Sequence, residues 1–201
     1  LMQVMKEYDP ETDQMLFYLP LSGSAFRKVY YDQNLGRAVS KFIPSEDLIV
    51  PYSATDLHSA TRITHVINMP MNDIRKLQQI GFYSDVDIDS GNMMADETDD
   101  IQEGIDELQG VKPSYDDDDT CKVHEIHTEL DIEGFEDMNA EGEDTGIKLP
   151  YIVTIGNNKV LSIRRNYKEN DQLKQRINYF VHYKFLPGLG FYGFGLTHMI
   201  G

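Results

Sequence analysis

The apolar residues along this chain change their spacing several times, and each change marks an element. Residues 1–8, "LMQVMKEY", alternate apolar and polar positions as a strand does, and the turn "DPETDQ" leads to a second apolar run, "MLFYLPL" (15–21). "FRKVYY" (26–31) and "VSKFI" (39–43) are rich in β-branched and aromatic residues. They flank "DQNLGRA", where Asn34 and Gly36 suit a hairpin loop. "EDLIVP" and "TRITHVINM" (61–69) are further strand-like runs, and Pro20, Pro44 and Pro51 keep such strands short or at edges.

Over 70–81, "PMNDIRKLQQIG", the period becomes helical. Ile74, Leu77 and Ile80 share a face, Asn72 suits the start, and Gly81 suits a left-handed stop. "DDIQEGIDELQG" (99–110) has weaker helical spacing, interrupted by Gly104. "KVHEIHTELDI" (122–132) alternates again. "LPYIVTIG" and "KVLSIRR" are strands joined by Asn157-Asn158, a tight-turn pair. "YKENDQLKQR" is a polar connection with room for one helical turn, and "NYFVHYKF" (178–185) is another strand. The pattern predicts an α+β fold of mostly antiparallel strands in hairpins and a meander, with one or two short helices and acidic loop insertions. Four blocks follow. Residues 1–83 form a β-rich block ending in a helix, and 84–121 an acidic, largely looped insertion. Residues 122–185 form an antiparallel meander of the same compact domain, and 186–201 a glycine- and aromatic-rich joint into a following helix.

Charge sharpens the division. Residues 84–145 carry two bases against 23 acids, a net of −21, whereas the rest carries 16 bases against 11 acids, a net of +5. The chain is a mildly basic framework bearing one intensely acidic insertion. Its 201 residues suffice for one compact domain or two small ones. No apolar run approaches the roughly 20 residues of a spanning helix, and no signal peptide is visible. The chain opens within one pattern and closes within another, which reads as an internal piece of a longer protein. A single cysteine, Cys121, excludes an internal disulfide and fits a reducing setting. His124 and His127 lie near it, but the aspartates at 116–119 would raise a thiol pKa, so an ordinary structural cysteine is the plainer reading.

Three motifs call for chemistry. Gly188-x-Gly190-x-x-Gly193 has dinucleotide-loop spacing, but no alternating strand–helix rhythm surrounds it, and Phe191 and Tyr192 would crowd a pyrophosphate. Glycines that permit close approach, with aromatics that pack on a neighbour, are the simpler account. "DVDIDSGNMMAD" (85–96) imitates a calcium loop, with Asp85, Asp87 and Asp89 at positions one, three and five and Asp96 at twelve. Its glycine is one place late and Asp96 is shorter than the usual glutamate, so loose cation screening of an acidic loop competes with a built site. "HEIH" puts His124 and His127 on opposite faces of a strand, unable to share a metal without a bulge. His65, His182 and His198 are scattered. There is no nucleophile elbow, no phosphate-binding loop and no basic cluster that reads nucleic acid. No catalytic residue, resident metal or cofactor is expected.

Taken together, several segments resemble one family. They are "FYLPLSGSAFRKVYYD", "GRAVSKFIPSEDLIVPYSATDL", "RITHVINMPMNDIRKLQQIGFYSDVDI", "LPYIVTI", "KVLSIRRNY" and "YFVHYKFLPGLGFYGFGLTHMIG". These resemble the portal protein of tailed bacteriophages of the short-tailed, podovirus type. The likeness runs along nearly the whole chain except the acidic loops near 90–120 and 133–146. It implies a structural, non-enzymatic subunit of a homo-oligomeric ring of about twelve copies at one capsid vertex. Double-stranded DNA is pumped in through such a ring by the terminase motor and leaves through it at ejection, without sequence-specific binding. Implied partners are terminase, capsid and head-completion or tail proteins, with no membrane. The implied location is the virion's portal vertex, and the host cytoplasm during assembly. The piece would be wing or body leading to the stem, with Gly188, Gly190, Phe191, Tyr192, Gly193, Phe194 and Gly195 as hinge or interface. A cation-binding acidic module and a nucleotide-binding enzyme fragment are the alternatives. The acidic insertion either lines a channel, where it repels phosphates, or stands outside as a solvated loop; the periphery is where long polar loops usually sit.

Overall fold

The computed structural model describes residues 5–32, 35–88, 120–138 and 141–200. Antiparallel sheets dominate and helices are short, as an α+β fold requires. The elements are α1 (Tyr8–Ser22), β1 (Ser24–Asp32), β2 (Arg37–Ile43), a 3-10 turn (Ser45–Asp47), β3 (Leu48–Ile49), β4 (Arg62–Pro70), α2 (Met71–Gln79), β5 (Thr120–Leu130), β6 (Leu149–Gly156), β7 (Lys159–Arg165), β8 (Phe180–Lys184) and α3 (Thr197–Ile200). One sheet has the order β2-β1-β8 and the other β3-β4-β5-β6-β7.

The start of the chain differs from its sequence pattern. Residues 8–22, read as a turn and an apolar strand, form helix α1. Asp9 and Glu11 lie in its first turn, where they complement the helix dipole, and Pro10 sits where no intrahelical N–H is needed. Gly23 closes it in the left-handed conformation (φ 81°), its N–H bonding to the Leu19 carbonyl. Pro20 occupies the last turn, so its missing N–H costs only one bond there. Within the first block the described residues thus open on a turn and a helix rather than a strand, and residues 1–4 of the expected strand lie outside the described residues.

The hairpin is as its pattern predicts. β1 and β2 pair antiparallel from Phe26↔Ile43 to Asp32↔Arg37, with Gly36 at φ 61° in the loop. β1 also pairs with β8, Ser24↔Lys184 through Lys28↔Phe180. This corrects the expected meander over 122–185: β5, β6 and β7 are consecutive neighbours, but β8 leaves them and joins β1. Its local pattern marks a strand without specifying a partner about 150 residues earlier. "EDLIVP" yields only the two-residue β3, paired with β4 at Leu48↔His65. The 166–178 connection contains turns rather than a helix. α2 buries Met71 and Ile74, while Ile80 is exposed; Pro70 stands at its N-cap in place of Asn72, and Gly81 takes the left-handed position at φ 74°. Asn157 and Asn158 both have positive φ, as the two-residue turn between β6 and β7 demands. The helical reading of 99–110 lies outside the described residues.

By contacts the chain forms two units, neither contiguous in sequence. The first is Leu1–Val66, His124–Val153 and Ile163–Gly201; the second is Ile67–Val123 and Thr154–Ser162. The boundaries fall within β4, β5, β6 and β7 rather than at the block boundaries drawn from composition. The core of the first unit gathers Phe26, Ile43, Leu48, Ile63, Phe180 and Phe191. The core of the second gathers Met71, Ile74, Tyr83, Ile88, Val123 and Leu161.

Candidate functional site

The glycine-rich segment that follows β8 is sewn to the corner between α1 and β1. Phe185 N–H donates to the Gly23 carbonyl (3.0 Å), and Leu186 and Phe194 exchange a pair of backbone bonds (3.2 and 2.8 Å). That pair closes a small loop over 187–193. Gly193 N–H then donates to Ser24 Oγ (2.8 Å), Leu196 N–H to the Pro20 carbonyl (2.7 Å), and Thr197 Oγ1 to the Leu21 carbonyl (3.0 Å). α3 starts directly beyond these ties.

Backbone is packed on backbone here, which explains the glycines. A Cβ on Gly193 would lie 2.5 Å from the Gly23 carbonyl oxygen, one on Gly188 would lie 2.5 Å from the Tyr192 carbonyl oxygen, and one on Gly195 would strike the Leu21 carbonyl. No real Cβ tolerates such distances. Gly190 differs, since nothing stands within 4 Å of its would-be Cβ.

The aromatics divide into anchors and outward faces. Phe191 is buried and stacks on His182 (4.8 Å between centroids) and on Phe26 (5.9 Å), and His182 in turn lies 4.4 Å from Phe26. These contacts place a segment far downstream in sequence onto β1. His182 Nε2 reaches Ser24 Oγ (3.1 Å), the hydroxyl that also holds Gly193. Burial, and then the Lys184 ammonium, push the His182 pKa down to about 4, so the ring is neutral at neutral pH. Tyr192 and Phe194 are exposed on one side; Tyr192 Oη donates to the Leu48 carbonyl (3.5 Å), and Phe194 lies against His198.

This geometry is not that of a phosphate cradle. β8 runs antiparallel to β1 rather than within a parallel strand–helix unit, and Gly193 N–H, which a cradle would aim at a pyrophosphate, is held by Ser24.

The other sequence candidates lie apart. Asp85 and Asp87 are in the second unit, and Asp89 and Asp96 are outside the described residues. The Asp87 carbonyl accepts from Lys159 Nζ. Among the described residues no three His, Cys, Asp or Glu side chains gather to hold a metal ion. Cys121 is buried in the second unit's core, and that burial raises its thiol pKa. His124 and His127 stand three positions apart on β5, on opposite faces, and are not brought together; His127 is buried and His124 half-buried. Burial, and next Lys28, take His65 down to about 4, and His198 Nδ1 accepts from Gly195 N–H (3.2 Å).

Two features of the first unit escape motif reading. Glu125 Oε1 is shared by Lys28 Nζ (2.6 Å) and His127 Nε2 (2.7 Å), all nearly inaccessible to solvent. Burial alone would raise the Glu125 carboxyl, but His127 and Lys28 outweigh it and hold the group below the ordinary carboxylate range. His127 is pulled below its ordinary value by burial, against the opposing carboxylate, and serves as a neutral donor. A readable signal existed: Glu125 and His127 share parity with buried Cys121 and Val123, so a carboxylate stands on the apolar face of β5. Lys28 likewise shares the β1 face of Phe26.

The second feature is a pair of adjoining open depressions of about 520 and 740 Å³ that share Thr61, Glu129 and Lys148. The larger is braced by Arg176, whose guanidinium donates to the carbonyls of Ala60 (2.7 Å), Leu57 (2.9 Å) and His58 (3.3 Å). Lys174 holds a strained backbone (φ 46°) and is ion-paired with Asp137.

No family model matches the chain, and a search of curated proteins finds no significant match. No helix among the described residues is long and apolar enough to cross a membrane.

Proposed function

We propose that this chain is part of a portal-ring subunit of a short-tailed bacteriophage, a structural piece of the conduit through which DNA enters and leaves the capsid. The segments quoted above support the family. The structural observation that carries the role is the knitting of residues 185–196 into the α1–β1 corner, where Gly188, Gly193 and Gly195 serve close packing and deliver the chain to α3. A loop built this way transmits position from a β-rich body to a following helix and holds no ligand. In this reading the chain turns over no substrate and works in the virion's portal vertex after assembling in the host cytoplasm. About twelve copies form the ring, with terminase, capsid and head-completion or tail proteins as partners. Residues 188–195 are the joint, and Tyr192 and Phe194 offer aromatic surface to whatever adjoins it.

Electron microscopy of the full-length protein tests the reading. Closed rings with a central hole are expected; monomers at every concentration, or open filaments, would remove it.

A further inference from the structure

A helix that packs one face on a sheet normally turns charged residues outward. α1 does so only over its first half. Met15 points into the core, but the opposite face carries Asp9 and Asp13 followed by Leu16 (58 % exposed), Phe17 (77 %) and Leu21. The outer ridge of α1 is thus acidic at one end and apolar at the other, and nothing among the described residues covers it. On other elements of the same unit, the joined depressions have the inverse character. Arg62 lines the smaller depression and Lys148 both, with no ion-pair partner among the described residues; Glu129 also lines both, so each keeps a net positive lining, and Ile147 (56 %) and Leu173 (77 %) stand exposed at the wall of the larger. The two surfaces share no residue.

We propose that these surfaces are the two halves of one head-to-tail contact, in which the α1 ridge of one copy docks into the depressions of the next. Asp9 and Asp13 face Arg62 and Lys148, and Leu16, Phe17 and Leu21 cover Ile147 and Leu173. The occupant is a second copy of this chain because the ridge is anionic where the depressions are net cationic, and both surfaces carry exposed apolar residues to bury. Such a contact joins two different patches, so it propagates and closes into a ring when the rotation per copy permits. Arg176, pinned by three carbonyls, and the Lys174–Asp137 pair keep the receiving surface rigid. The inference rests on the ring reading above and adds which faces meet.

Charge reversal in both directions provides the test. In sedimentation velocity, the unaltered chain associates with rising concentration and dissociates with added salt. The double variant Asp9→Lys/Asp13→Lys sets cations against cations, and Arg62→Glu/Lys148→Glu sets anions against anions; each weakens association by about 100-fold or more. An equimolar mixture of the two variants recovers it, because every ridge then finds an opposite groove. All four positions are exposed; the circular dichroism melt of Arg62→Glu/Lys148→Glu should match the unaltered chain, and that of Asp9→Lys/Asp13→Lys should fall only by the small dipole contribution of a first-turn acid. As a second readout, Phe17→Cys on one copy and Leu173→Cys on another should cross-link under mild oxidation. Association untouched by the reversals, or no recovery on mixing, overturns this contact while leaving the ring reading in place. An unaltered chain that stays monomeric throughout also overturns it, and full-length rings seen by microscopy would then show that the ring reading survives separately.

Discussion

Single glycines at the α1–β1 corner have unequal roles, and substitution should reveal it. Gly195→Ala forces a methyl onto the Leu21 carbonyl, where only backbone movement gives relief, and should cost about 3 kcal/mol in urea unfolding. Gly190→Ala meets open space and should stay within about 0.5 kcal/mol of the unaltered chain. Equal effects would contradict the packing described. Titration offers a second handle. His65 and His182 are held near 4 in the folded chain against an ordinary 6.5. Above pH 6.5 both states are neutral and stability is unaffected. As pH falls from 6.5 to 4 the unfolded chain binds protons that the folded chain refuses, so stability declines through that window and levels off below it. Glu125, held below its ordinary value, adds a further loss at lower pH. The urea midpoint measured against pH should show this slope, and His182→Phe should reduce it by roughly half, leaving the His65 share; a midpoint constant from 6.5 to 4 would refute the buried-histidine account.

Between β1 and β5 of the first unit the Lys28–Glu125–His127 cluster invites a test by deletion. Glu125→Ala leaves a lysine buried without its counter-charge and should destabilise by about 3–5 kcal/mol, whereas adding Lys28→Met to that variant should restore part of the loss. Equilibrium unfolding of the single and double variants decides it. The elements also show what the sequence could reveal. β5 was legible because buried Cys121 and Val123 alternate with exposed Thr120 and Lys122, and the β6–β7 turn was legible because paired asparagines accept positive φ. α1 was misread for a physical reason: its apolar residues crowd both faces, which erases the 3.6-residue period, and Pro20 argues locally against a helix. The strand character of β8 was visible, but its partner was not, since pairing is chosen by long-range packing. Likewise the glycines at 188–195 announced close approach, while the surfaces they approach, Gly23 and Ser24, carry no local mark of it.

Taken entire, the molecule is a mixed-charge framework with an acidic insertion, and calcium provides a direct check on that insertion. Isothermal calorimetry with calcium should show no micromolar site; a stoichiometric heat in that range would revive Asp85 and Asp87 as ligands. One small detail bears on how the folded chain behaves in a crowd. The Phe42 N–H, which faces away from β1 on the rim of β2, is occupied by the Glu11 carboxylate at 2.6 Å. A side chain from α1 thereby plugs a place where a stranger's strand could zip on. Removing that plug with Glu11→Ala should leave the monomer folded yet hasten thioflavin-positive clumping on storage, so one carboxylate guards the chain's solubility as well as its shape.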